Sequence, residues 1–216
     1  MNNKEFVISE IQAAFINNEY PGDNLLQGSF EGSEPFEEIE PFMGQKDWMN
    51  TPSPVLDNHA GALNFFSEAG FRYFLPAYLV ADINNERMYA DPLFHLIHGF
   101  SEGSVEHVIG TRVFVRKIEK SAFVNPRRCG GMTFYDYARY RLSIFTREEA
   151  RAIVAYLKYK MDRDPEDLNN EEINEALNSF WLERTEIAPP GEIVAAYMQE
   201  EEEYIAAISS QSDESG

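Results

Sequence analysis

The chain has 216 residues, 44% of them hydrophobic, with one cysteine and a formal net charge of −19. That length suits one well-buried domain, and this apolar content argues against disorder throughout. A single cysteine excludes an intrachain disulfide, and strong negative charge argues against general duplex binding, whose affinity comes mostly from phosphate neutralisation.

Val7, Ile11, Ala14 and Phe15 recur at helical spacing and predict an amphipathic first helix over residues 3–17. Tyr20-Pro21-Gly22-Asp23 ends it, and residues 21–35 read as a long loop. A short helix is expected over 36–43 and another over 55–66, with Pro52 and Pro54 breaking the chain between them. The densest apolar run follows, Gly70-Phe71-Arg72-Tyr73-Phe74-Leu75-Pro76-Ala77-Tyr78-Leu79-Val80. Phe71, Phe74, Leu75, Tyr78 and Leu79 share one helical face, while Tyr73, Val80 and Ile83 cover much of the rest. A helix apolar nearly all round belongs at the centre of a core. Ser67 is placed to cap it, Asn84-Asn85 to close it, and Pro76 to kink or divide it.

Asp91-Pro92 is a cap followed by proline at the first helical position, which opens a helix ending near Gly99. Residues 105–118 fit either a short β-hairpin with a Gly-first turn at Gly110-Thr111 or a helix, and 125–131 read as a loop. An aromatic-rich helix is expected over 133–141. Thr146 and Glu149 then form a capping box ahead of the stripe Ala150, Ile153, Val154, Leu157 and Met161. Asn170 is expected to cap a helix bearing Ile173, Ala176, Leu177, Phe180 and Trp181, and a last helix runs from Pro190 towards Ile208. Residues 209–216 are polar and predict a disordered tail. The fold class is therefore mainly α: one multi-helix domain over 1–208, with Phe71, Phe74, Leu75, Tyr78, Leu79 and Trp181 in its core.

The Ala62-Leu63-Asn64-Phe65-Phe66 segment, the run from Gly70 to Leu79 and the helix starting at Phe145-Thr146-Arg147-Glu148-Glu149-Ala150 resemble a family of bacterial proteins known only as a domain of unknown function. Trp48 also sits where that family has a tryptophan. The resemblance covers roughly residues 5–182. It implies a single mainly helical domain in a bacterial cytoplasm and attaches no catalytic residue, substrate or cofactor to it. A cytoplasmic setting is also what the lone Cys129 implies, together with the lack of a basic-flanked apolar run in residues 1–18 and of any apolar stretch long enough to span a membrane.

Charge is segregated along the chain. Residues 1–110 hold four Lys/Arg against seventeen Asp/Glu, residues 111–163 thirteen against five, and residues 164–216 one against fifteen. Acidic elements that fold around a basic one explain this most simply. A sharper reading is a basic patch for an anionic ligand around Arg112, Arg116, Lys117, Arg127 and Arg128.

Individual residues carry weaker signals. His95 and His98 share a helical face and, with His107, supply zinc-ligand chemistry, but no His-Glu-x-x-His pattern accompanies them, so hydrogen-bonding histidines are the simpler reading. Cys129 lies beside arginines that would lower its pKa, without a base nearby in sequence. Adjacent carboxylates such as Glu37-Glu38 and Glu148-Glu149 point apart on a helix and make poor acid–base dyads. No dinucleotide, phosphate-loop or nucleophile-elbow motif occurs. Arg72 is expected to pair with a carboxylate such as Asp82. Three functions stay open: an acidic module that binds a basic protein in the manner of an inhibitor or immunity factor, a DNA mimic using Glu192 and Glu200 to Glu203, and a small enzyme or anion binder over the basic segment. The first fits the overall charge best. No metal or cofactor is expected.

Overall fold

A computed structural model describes residues 3–86, 89–100, 104–109, 112–117, 122–125, 130–187 and 191–213. The chain is mainly α-helical, and its helices enclose one continuous hydrophobic core. Helix α1 (Lys4–Phe15) starts where the Asn3 side chain accepts a hydrogen bond from the Phe6 amide, and it buries Val7, Ile11 and Phe15. Short helices α2 (Glu34–Ile39), α3 (Ser53–Asn58) and α4 (Ala62–Phe65) follow. The single helix expected over 55–66 is thus two, divided at His59, where the backbone leaves the helical region.

Helix α5 (Glu68–Asn84) is the centre of the core. The Ser67 hydroxyl accepts from the Gly70 amide at 2.9 Å, and Asn85 closes the other end in the left-handed conformation, φ 58°. Gly70 is required by proximity: a Cβ there would stand 2.8 Å from the Leu26 carbonyl oxygen. Phe71, Phe74, Leu75, Tyr78 and Leu79, with Trp181 from a later helix, are all 0% exposed. Two aromatic clusters meet α5 from different sides. Phe74 packs with Phe42 and Phe66, with centroids 5.0 and 5.2 Å away. Phe71 leads instead through Phe145 to Trp181 and Phe180.

Of the kink or division expected at Pro76, the division does not occur, and α5 is continuous through it. Proline removes the donor that the Arg72 carbonyl would use. That oxygen accepts instead from the Asn18 carboxamide at 3.2 Å, so the helix loses a bond without leaving an orphan group.

Helix α6 (Pro92–Ile97) begins at the Asp91 cap. Strands β1 (Ser104–Ile109) and β2 (Arg112–Lys117) pair antiparallel, with Ile109 opposite Arg112, so the hairpin alternative applies here; its turn lies outside the described residues. A second antiparallel pair joins β3 (Ala122–Asn125) to β4 (Gly130–Thr133), so Gly130 and Gly131 belong to a strand rather than to a loop. Helix α7 (Phe134–Arg141) starts with a Thr133–Asp136 capping box. Helix α8 (Arg147–Arg163) starts with the expected Thr146–Glu149 box.

Helix α9 (Asn170–Ala176) passes through a π-helical turn, Leu177–Trp181, into α10 (Leu182–Arg184). Asn170 does not cap it; Asn169 holds that position, and the Asn170 side-chain Nδ2 donates to the Asp164 carbonyl. Helix α11 (Gly191–Asp213) continues past residue 208, so Ser209–Asp213 are helical where a polar tail was expected.

Helix α1 packs against both α5 and α8. Between those two, the Arg72 guanidinium grips Glu149 through Nε at 3.1 Å and Nη2 at 2.9 Å. Arg72's partner is thus Glu149, not Asp82. Asp82 instead receives Lys160 Nζ at 3.1 Å and the Tyr156 hydroxyl. The pairs join the N-terminal ends of the two helices and then their C-terminal ends, so α5 and α8 run parallel.

Candidate functional site

The basic cluster predicted from sequence lies partly outside the described residues. Arg112 is exposed at the start of β2. Arg116 and Lys117 lie further along that strand, opposite Val105 and Ser104. Arg127, Arg128 and Cys129 fall outside the described residues.

Other cations of the same segment are used by the fold, while Arg151 and Lys158 are exposed. Arg139 donates to the Ser179 carbonyl at 2.8 Å, approaches Glu183 at 3.6 Å, and lies over Phe180. Arg163 donates to Asn85. Arg184, the lone cation after residue 163, donates to the Ser143 and Phe145 carbonyls. These contacts engage each guanidinium locally, while Arg163 stays exposed and Arg139 keeps 38% of its side chain exposed.

The carboxylates behave differently. Along the continuous helix from Asn170 to Arg184 and its flanks, Glu166, Glu171, Glu172, Glu183 and Glu186 are exposed. Three large apolar side chains are exposed among them: Leu168 (96%), Leu182 (38%) and Ile187 (57%). The core side of this helix is set by Ile173, Ala176, Leu177, Phe180 and Trp181, leaving the acidic and apolar residues on the outer side. The π-helical turn inserts an extra residue and re-aims the residues after it, a distortion often found at functional sites. Acidic groups around exposed leucine and isoleucine side chains form a surface matched to a basic, partly apolar partner.

A second acidic feature faces inward. Glu201 of α11 is buried and its carboxylate accepts from the Glu68 and Ala69 amides at 2.5 and 3.1 Å, at the N-terminus of α5. Its neighbours across a cleft of about 290 Å³ include Tyr20, Arg72, Tyr73, Glu19 and Glu202. Burial, together with a hydrogen bond to and repulsion from the Glu68 carboxyl, pushes the Glu201 pKa well above the usual carboxylate range. A folded-state pKa above the unfolded value means that the folded chain holds a proton the unfolded chain has lost, so stability falls as pH rises from the ordinary glutamate value through the raised one. Docking of α11 is therefore expected to be firmest in mildly acidic solution and to loosen towards pH 9. Hydrogen exchange of α11 amides at pH 6 and 9, corrected for intrinsic rates, checks this. The difference should shrink in Glu201→Gln, and equal loosening in that variant would dissociate it from this carboxyl.

The histidines are placed by packing. His95 lies 5.9 Å from the Phe71 ring, and His98 stacks on Phe94 at 4.5 Å. Burial lowers the pKa of both, that of His95 to about 3. Among the described residues, no group of three or more His, Cys, Asp and Glu is placed to hold a metal ion. None of the described helices is long and apolar enough to cross a membrane. Comparison with protein-family models, curated proteins and solved structures finds no match to this chain.

Sequence reasoning missed the Glu68–Glu201 pair and the outward strip on α9 and α10. The signal for the strip was present: Leu168, Leu182 and Ile187 fall outside the apolar stripe that runs from Ile173 to Trp181.

Proposed function

We propose that this protein is an interaction module of inhibitor or immunity type that binds a basic protein partner through the outer face of α9 and α10. A bacterial cytoplasmic setting belongs to the same proposal. One observation carries it: Arg139 and Arg184 near this face are engaged by backbone carbonyls, while Glu171, Glu172, Glu183 and Glu186 stand outward around Leu182 and Ile187. Outward charge steers a basic partner, and the apolar side chains supply contact area that salt does not screen.

The acidic residues of α11 support the DNA-mimic alternative less well. Glu201 is buried at the start of α5, and Glu200 accepts from the Tyr140 hydroxyl at 2.8 Å. A phosphate-like row needs carboxylates facing outward together. The enzyme or anion-binder alternative would use Arg112, Arg116, Lys117, Arg127 and Arg128, of which Arg112 is exposed at the start of β2.

The test is capture of partners from a host extract on the tagged full-length chain, washed at about 50 mM and then about 500 mM salt. A stoichiometric basic protein, lost from a variant carrying Glu171→Lys, Glu172→Lys, Glu183→Lys and Glu186→Lys, is the expected result. The same variant should retain its melting temperature within a few degrees, since exposed substitutions cost little. Undiminished capture by a folded variant would rule this face out.

A further inference from the structure

One cleft departs from the charge of the rest of the molecule. It lies between α6 and α7, has a volume of about 100 Å³, and none of its described lining residues carries a carboxylate. In a chain with 37 Asp and Glu, that is a local reversal. The cation lining it is Arg141, with the imidazoles of His95 and His98 and the side chains of Asn64 and Tyr137. Phe94, 45% exposed, and Phe134 form apolar walls of this cleft.

Arg141 is held but not consumed. Nη2 donates to the Leu63 carbonyl at 3.0 Å, and the guanidinium lies 4.5 Å from the Phe71 ring centroid. Its other N–H groups have no hydrogen-bond partner among the described residues. Neither imidazole hydrogen-bonds another described side chain, although aromatic neighbours fix both rings. His95 is kept neutral by burial and the pKa of the more open His98 is lowered as well, so each imidazole offers one donor and one acceptor.

We propose that this cleft binds a short-chain monocarboxylate. The planar carboxylate matches the guanidinium fork of Arg141, with an imidazole donor beside it, and the short alkyl end lies against Phe94 and Phe134. Size sets the chain length. A volume of about 100 Å³ equals about three waters at roughly 30 Å³ each, room for a ligand of about four to six non-hydrogen atoms. Charge sets the class. One guanidinium balances one negative charge, whereas a phosphate dianion would keep an uncompensated charge between aromatic walls.

Titration of the full-length chain with propionate, followed through the histidine Cε1–H NMR signals at constant ionic strength and pH 7.5, tests the assignment. Saturable shifts at His95 and His98, with Kd at or below about 1 mM and His59 unmoved, are expected. Arg141→Gln should weaken binding at least about tenfold, the effect of losing a charge-assisted pair. Because Arg141 also packs on Phe71, a second variant serves if that one does not fold. His98→Phe, at an exposed position, keeps the stack on Phe94 and should weaken propionate several-fold. No saturable shift up to about 20 mM propionate, a ligand far above the expected Kd, overturns the proposal. Phosphate binding as tightly as propionate overturns it too, as does unchanged affinity in both folded variants.

Discussion

Glu149→Ala is expected to destabilise the chain by about 3–5 kcal/mol, lowering the melting temperature by roughly 6 to 20 °C for a domain of this size. Its carboxylate is 1% exposed and serves two structures at once. It accepts from Arg72 Nε and Nη2, and it accepts from the Thr146 amide at 2.7 Å to complete the capping box of α8. Removal leaves a guanidinium that is 28% exposed without its bidentate partner and an unsatisfied amide at a helix start. Urea unfolding of Glu149→Ala, Arg72→Met and the double variant measures the coupling. The double variant should be markedly less damaged than the two single losses added together. Additivity within about 0.5 kcal/mol would mean that the pair contributes no interaction of its own.

Trp181→Ala should cost about 3–5 kcal/mol, the range for truncating a fully buried tryptophan. The indole is 0% exposed, packs on Phe180 and Phe145 at 5.0 and 5.9 Å, and donates to the Leu96 carbonyl at 2.9 Å. Trp181→Phe keeps most of the contact but leaves that carbonyl without its donor, so an intermediate loss of about 1–3 kcal/mol is expected. Trp48, the other tryptophan, remains as the fluorescent reporter for both unfolding curves. A loss under about 1.5 kcal/mol for Trp181→Ala would show the π-helical turn to be loosely packed.

Much of this fold could be read from local pattern. Ser67, Asp91 and Thr146 announce helix starts through their own side chains, and the spacing from Phe71 to Leu79 identifies the core helix without reference to anything else. What escaped depends on residues distant in the chain. Pro76 looked like a break because the donor that rescues the Arg72 carbonyl is Asn18, more than fifty positions away. Arg72 was expected near Asp82 because both stand on the same helix, whereas Glu149 reaches it from α8. The candidate sites followed the same rule. The cleft around Arg141, where α7 meets α6, likewise draws its lining from Asn64, Phe94, His95 and Phe134, which lie in separate stretches of the chain.

The two ion pairs between α5 and α8 have a consequence for how the chain finds its fold. A helix with an apolar stripe gains nearly the same burial whichever way it is laid on a neighbour, so hydrophobic contact alone is almost blind to direction. Here the sign pattern is positive then acidic along α5, and acidic then positive along α8. Laying α8 down in the opposite sense would oppose Arg72 to Lys160 and Asp82 to Glu149, two like-charge encounters in partly dehydrated surroundings. The pairs thus exclude the reversed arrangement more strongly than they stabilise the native one, which is how charges of modest net worth can still select a single topology.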